Sequence, residues 1–166
     1  MTTVSFYQEG DCIAVPLLTT GFGIGIVTRI GQHGVVLGCF FGPKWEGVPR
    51  VGQLYGLTEK RSILVRRCAD TGLRDGTWIV IGRSPDWNRR AWRVPKFESA
   101  ASSLQPDQCW IRVYDDDLTV IHDQEVPKIS GEGFPKDILS GQHALEVTLT
   151  QLLDYQAYLR LQKRST

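Results

Sequence analysis

The only methionine among the 166 residues is the first, and no apolar run comes near the ~20 residues that a membrane-spanning helix requires. The longest such stretches, residues 13–18 and 35–41, are the length of strands. Charge of neither sign dominates. Nineteen Lys and Arg against eighteen Asp and Glu leave a formal net charge of +1. Gripping a phosphate backbone by bulk charge needs a strongly basic face, so the near-balance argues against that mode of nucleic-acid binding. The four cysteines, Cys12, Cys39, Cys68 and Cys109, form no close pair. A tetrahedral zinc site draws on closely spaced ligand pairs, so no metal site is expected. Residues 1–6 hold neither a basic segment nor an apolar stretch of secretory length, and the chain as given therefore reads as cytoplasmic.

What the chain has is glycine (17) and tryptophan (5), set among Val and Ile in short runs. That mixture points to many short strands and tight turns rather than a helical bundle. Residues 12–16 read as a strand closed by Pro16. Residues 22–30 follow a turn; there Phe22, Ile24, Ile26, Thr28 and Ile30 share one face at period 2, with Gly23 and Gly25 opposite. A face made of glycine admits another backbone or a large ring at close range. With residues 35–41 these strands form a three-stranded meander of the kind that curls into a strongly bent sheet or a small barrel. Loop is expected over 42–56, strands over 62–68 and 77–82, and a short edge segment over 94–97. A hairpin should pair 109–114 with 118–121 across Asp115-Asp116-Asp117, and loop should return over 126–141.

Ser140 is placed to cap a helix over 143–162 with Leu145, Leu149, Leu152, Leu153 and Leu159 on its apolar stripe, interrupted by Gln156. Leu145, Val147 and Leu149 also alternate at period 2, which leaves a strand open for its first turn. No repeat or linker divides the chain, so residues 1–166 are expected to form a single domain. Its class is α+β, mainly antiparallel β, with a curved sheet or small barrel and a C-terminal helix.

Few residues are arranged for chemistry. The spaced glycines of 21–25 lack the helix that would turn backbone amides toward a phosphate. The acidic group Asp115-Asp116-Asp117, with Asp123 and Glu125, lacks the glycine and ligand spacing of a calcium loop; it reads as a solvated turn or a partner-binding patch. A Cys or Ser nucleophile needs a positioned His, and His33, His122 and His143 show no such pairing with any cysteine. The cysteines read as buried small hydrophobes in a reducing compartment. Around Trp87 and Trp92 the basic residues Arg89, Arg90, Arg93 and Lys96 interleave with aromatics. That composition serves single-stranded nucleic acid, a protein interface or a core equally well.

Three segments in order carry a resemblance. They are the opening Gly10-Asp11-Cys12-Ile13-Ala14-Val15-Pro16-Leu17 with Gly21-Phe22-Gly23-Ile24-Gly25-Ile26-Val27, then Gly76-Thr77-Trp78-Ile79-Val80-Ile81-Gly82-Arg83-Ser84-Pro85, then Pro95-Lys96-Phe97. In order and spacing, over about residues 10–125, they resemble the immunity protein 26 family of bacterial polymorphic-toxin immunity proteins. Thr77-Trp78-Ile79-Val80 departs from the Trp-Pro-Val of that family's strand, and the last 40 or so residues match none of its motifs. The resemblance implies a cytoplasmic protein that neutralises a cognate toxin domain by direct binding. It implies no catalytic residue, no cofactor and no membrane partner. Acidity leans to the second half of the chain, where twelve Asp and Glu meet ten Lys and Arg. A basic toxin would be met by a local acidic patch, so the expected partner-binding residues are Asp115, Asp116, Asp117, Trp87 and Trp92. The competing expectation is a small β-barrel that reads single-stranded nucleic acid or a peptide through the two tryptophans and their arginines.

Overall fold

The computed structural model describes residues 6–100 and 104–164. Its main layer is a six-stranded sheet made of β1 (Asp11–Pro16), β2 (Phe22–Ile30), β3 (Val35–Trp45), β4 (Leu64–Ala69), β5 (Ile79–Arg83) and β9 (Leu139–Ser140), in the order β5-β1-β2-β3-β4-β9. All its pairings are antiparallel except β4 with β9, which meet in parallel at Arg67↔Leu139 and Cys68↔Ser140. A three-stranded antiparallel sheet follows, β6 (Phe97–Ala100), β7 (Gln108–Tyr114) and β8 (Val120–Pro127), in sequence order. Helix α1 (Thr71–Arg74) is a single turn, and α2 (Gln142–Leu153) and α3 (Tyr155–Arg164) close the described chain.

Period-2 alternation in the first three strands produces two cores, one on each face of the large sheet. Ile13, Val15, Val27, Val36 and Phe40 point to one side, where Leu145 and Leu149 of α2 and Trp78 complete a cluster. Cys12, Ala14, Ile24, Ile26, Cys39 and Phe41 point to the other, against Leu54 and Trp92. The glycine face of β2 receives what was expected of it. An added Cβ at Gly25 would lie 2.6 Å from the Phe40 ring, and one at Gly38 would lie 2.7 Å from the same ring. At Gly23 it would lie 3.1 Å from Leu153 of α2. The sheet thus takes a phenyl ring flat on its backbone at one point and a helix at the next. Full burial of each such Leu or Phe is worth about 1.5–3 kcal/mol.

A third cluster fastens the small sheet to the large one. Leu37 of β3 packs on Phe97, Tyr114 and Leu118, and the Phe97 and Tyr114 rings meet edge to face at 5.6 Å. Beside it lies a knot of charge. The Asp137 carboxylate is 1% exposed and accepts from Arg67 Nη2 at 2.6 Å, Arg112 Nη1 at 3.0 Å and the Tyr114 hydroxyl at 2.9 Å. A buried carboxylate is tolerable only when so satisfied. Nothing local in the sequence marks this node, because its four members are spread over three separate segments.

Several expectations are corrected. The large sheet stays open, with β5 and β9 at opposite ends, so the bent sheet holds and the barrel does not. The single C-terminal helix is two. Asp154 between them leaves helical geometry, its carboxylate held by Thr19 Oγ1 at 2.7 Å and Lys44 Nζ at 2.6 Å. Both groups belong to loop and strand beneath the helix, and binding them pulls the backbone off the helical path. The first turn of that region is helix rather than strand. Its N-cap is Gly141, with Ser140 ending β9 instead. Strand β3 continues to Trp45 into the expected loop, and β8 runs on to Pro127.

Candidate functional site

The two segments singled out in the sequence, the Trp-Arg run and the acidic turn, meet in space. Asp115 organises the tip of the β7–β8 hairpin. Its Oδ1 accepts from the backbone N–H of Asp117 at 3.0 Å and of Thr119 at 2.9 Å, which lets Leu118 adopt φ 59° and bury its side chain. Asp116 is thereby thrown outward between two arginines, accepting from Arg29 Nε at 2.9 Å and Arg89 Nη1 at 2.9 Å. Arg29 sits on β2 and is only 4% exposed, with a second bond to the Thr28 carbonyl. Arg89 reaches on to Glu9 at 2.6 Å. The Arg29 hydrogen bond, ahead of that from Arg89, holds the Asp116 carboxyl below the usual carboxylate range. Bonds to Glu9 and Asp116 push the Arg89 guanidinium upward.

The loop bearing Arg89 is set by aromatic packing. Asn88 caps the short 3-10 turn Arg89–Ala91 by accepting from the Arg90 N–H at 3.1 Å. Trp87 stacks on Trp92 at 6.1 Å, and Trp92 meets Phe41 edge-on at 6.2 Å. Gly10, at φ 92°, lies under the Trp87 ring so closely that a Cβ would sit 2.5 Å from it. Trp92 is 5% exposed and belongs to the core; Trp87 is half-buried beside it. Their faces are spent on each other, on Phe41 and on Gly10. Stacking of a nucleic-acid base requires an exposed ring face, which Trp92 does not offer.

The result is an open cleft between the loop and the hairpin, lined by Arg29, Arg89, Arg90, Arg93, Tyr114 and Asp116 among others. Among the described residues, no ion pair engages Arg90, Arg93 or Asp117. The patch therefore carries both signs at its rim over a fixed, internally paired base. Of the five residues singled out in the sequence, Asp115 and Asp116 line this cleft, and Asp117 is exposed beside them on the turn. Asp115 shapes the turn, and the two tryptophans support the loop. The residue missed is Arg29, whose place in an otherwise apolar strand (Phe-Gly-Ile-Gly-Ile-Val-Thr-Arg-Ile) was the available signal.

The cysteine thiols are sheltered rather than activated. All four cysteines are buried and unpaired by disulfides, and burial pushes the thiols of Cys12, Cys39 and Cys68 up to about 12. His33, His122 and His143 are exposed. Among the described residues no three His, Cys, Asp or Glu side chains gather as a metal site would require, and no helix is long and apolar enough to cross a membrane.

An α+β scaffold with a two-signed, preassembled surface patch has the make-up of a protein-binding domain. The chain belongs to the immunity protein 26 family, whose model matches residues 8–110. The match runs from the segment before β1 into β7 and stops short of the 125 to which the motif order extends. No curated protein matches, and no solved structure matches. Residues 111–164, outside the match, nonetheless provide β8, β9, α2 and α3, and with α2 a wall of the first core.

Proposed function

We propose that the chain is a bacterial immunity protein that neutralises a cognate polymorphic toxin by direct protein–protein binding, with residues 1–166 working as one domain in the cytoplasm. Membership of the immunity protein 26 family carries this reading. The geometry of the patch supports it. Arg90 and Arg93 in the cleft and Asp117 on the adjoining turn carry charge of both signs with no ion pair among the described residues, while the Glu9–Arg89–Asp116–Arg29 chain fixes the base of the cleft. Arg and Asp at a rim select partners by complementary charge more than they add raw affinity. The protein acts by occupying a surface and turns over no substrate.

Co-expression tests the reading. Where a secreted protein with a C-terminal toxin domain is encoded beside this gene, that domain is expected to arrest growth, and this chain to restore it. Rescue that persists without any complex detectable by titration calorimetry, or growth arrest that the chain leaves untouched, overturns the proposal.

A further inference from the structure

We infer that β8 is a docking edge, along which an extended, Lys- or Arg-bearing strand of the partner adds to the three-stranded sheet; this rests on the toxin-binding reading above. The other outer strand of that sheet, β6, is covered. The Glu98 N–H donates to the Pro135 carbonyl at 2.9 Å and the Asp137 N–H donates to the Glu98 carbonyl at 2.8 Å, so the chain before β9 is laid against it. Among the described residues nothing pairs with the outer side of β8, although the strand is eight residues long and almost wholly exposed. Natural edges of that length are blunted with lysines, prolines or bulges. Strand β8 carries neither Lys nor Arg, its one proline is the last residue, Pro127, and its register shift lies at the start, between the Val113↔His122 and Tyr114↔Val120 pairs, so residues 122–127 run as a regular edge. Its first two residues are apolar and exposed, Val120 at 43% and Ile121 at 62%.

The register says which backbone groups are free. The Lys128 N–H donates to the Asp107 carbonyl at 2.8 Å, which fixes that position as turned toward β7. Alternation in an antiparallel ladder then turns Val126, Gln124 and His122 to β7 and leaves the N–H and C=O of Glu125 and Asp123 facing outward. Their side chains share one face. Asp123 is paired with Arg112 at 2.7 Å, and Glu125 has no ion pair among the described residues. The edge is thus acidic and begins two residues after Leu118, at the tip that carries the charged patch.

The same charge argues against a second copy as occupant. A two-fold axis across an antiparallel edge pairs residue i with i or with an even offset, and the registers centred on the outward groups of 123 and 125 set Asp123 against Asp123, Asp123 against Glu125 or Glu125 against Glu125. A partner strand with basic side chains at alternate positions meets no such conflict and completes the ladder.

The test uses the full chain and the toxin domain that it rescues in the co-expression assay above. Hydrogen exchange is expected to show the Asp123 and Glu125 amides fast in the free protein and at least tenfold protected in the complex. Glu125→Pro removes an outward donor without touching the β7 ladder and should weaken binding tenfold or more, whereas Glu125→Ala should cost no more than about threefold. Circular dichroism and the melting temperature of Glu125→Pro serve as the folding control. Should that variant unfold, the amide protection in the wild-type complex decides alone. A tight complex without protection at these two amides overturns the edge while leaving the immunity reading standing. Protection that appears with protein concentration alone, without toxin, overturns it in favour of self-pairing. Failure of the wild-type chain to bind the domain at all sinks both.

Discussion

The two sheets are built from similar strands and end in opposite conditions. In the large sheet the central strands β1, β2 and β3 are sealed on both faces, and even glycine positions are filled by a ring or a helix. In the small sheet one strand, β8, is exposed over nearly its full length, and the sheet is held down by a four-residue apolar cluster and the carboxylate of Asp137. Close packing gives the first its stiffness. The second is fastened at few points and spends its surface outward. The difference assigns the labour: a rigid plate carries an exposed platform, the free edge belongs to the platform, and the charged patch joins the two through Arg29 on β2 and Asp116 at the β7–β8 tip.

That contrast can be broken most decisively by cutting the chain. Truncation after Trp110, close to where the family match ends, removes β8, β9 and α2. The remaining residues should fail to give a dispersed amide spectrum or a cooperative melt, because Leu145 and Leu149 leave the first core and the Trp78 indole loses its bond to Glu146. A folded fragment would mean that the matched region is self-sufficient. Next, Leu149→Ala is expected to cost about 2–5 kcal/mol in denaturant unfolding. Ile121→Ala on β8 should stay within about 0.5 kcal/mol. Equal effects would erase the distinction between the sheets.

Asp137→Ala should cost roughly 2–4 kcal/mol, the lower part of that range reflecting that Arg112 is a third exposed, because two guanidinium groups and a phenol lose their acceptor. The smallest effect concerns pH. Asp116 and Asp123 are held below the ordinary carboxylate range by Arg29 and Arg112 respectively. Their contribution is complete above an unfolded value of about 3.9 and disappears as pH falls through the lower folded value. The melting temperature should therefore drop as pH goes from 5 to 2.5, and Asp116→Asn should flatten part of that slope. Solvent exposure of both carboxylates keeps the slope shallow.

Much of the plate was legible in the chain itself. The meander of β1 to β3 follows from alternation and from glycines at turns, and the hairpin of β7 and β8 from three aspartates between apolar runs. The joining of the acidic turn to the Trp-Arg loop was not legible, since Arg29, Arg89 and Asp116 come together only through tertiary placement. Parallel pairing of β9 with β4 likewise depends on a two-residue strand too short to carry a pattern. The two tryptophans illustrate a different limit. Composition alone does not separate an aromatic that grips a partner from one that props up a loop, and here packing against Gly10 and Phe41 decides for support.

Asp116 has a consequence for how a partner is received. It is shared by one sheltered arginine and one at the surface, so an incoming carboxylate can draw Arg89 away while Asp116 keeps Arg29. At Arg89 association then exchanges one ion pair for another. The Arg89 exchange itself should accordingly add little sensitivity to added salt, which is left to the new pairs made by Arg90, Arg93 and Asp117.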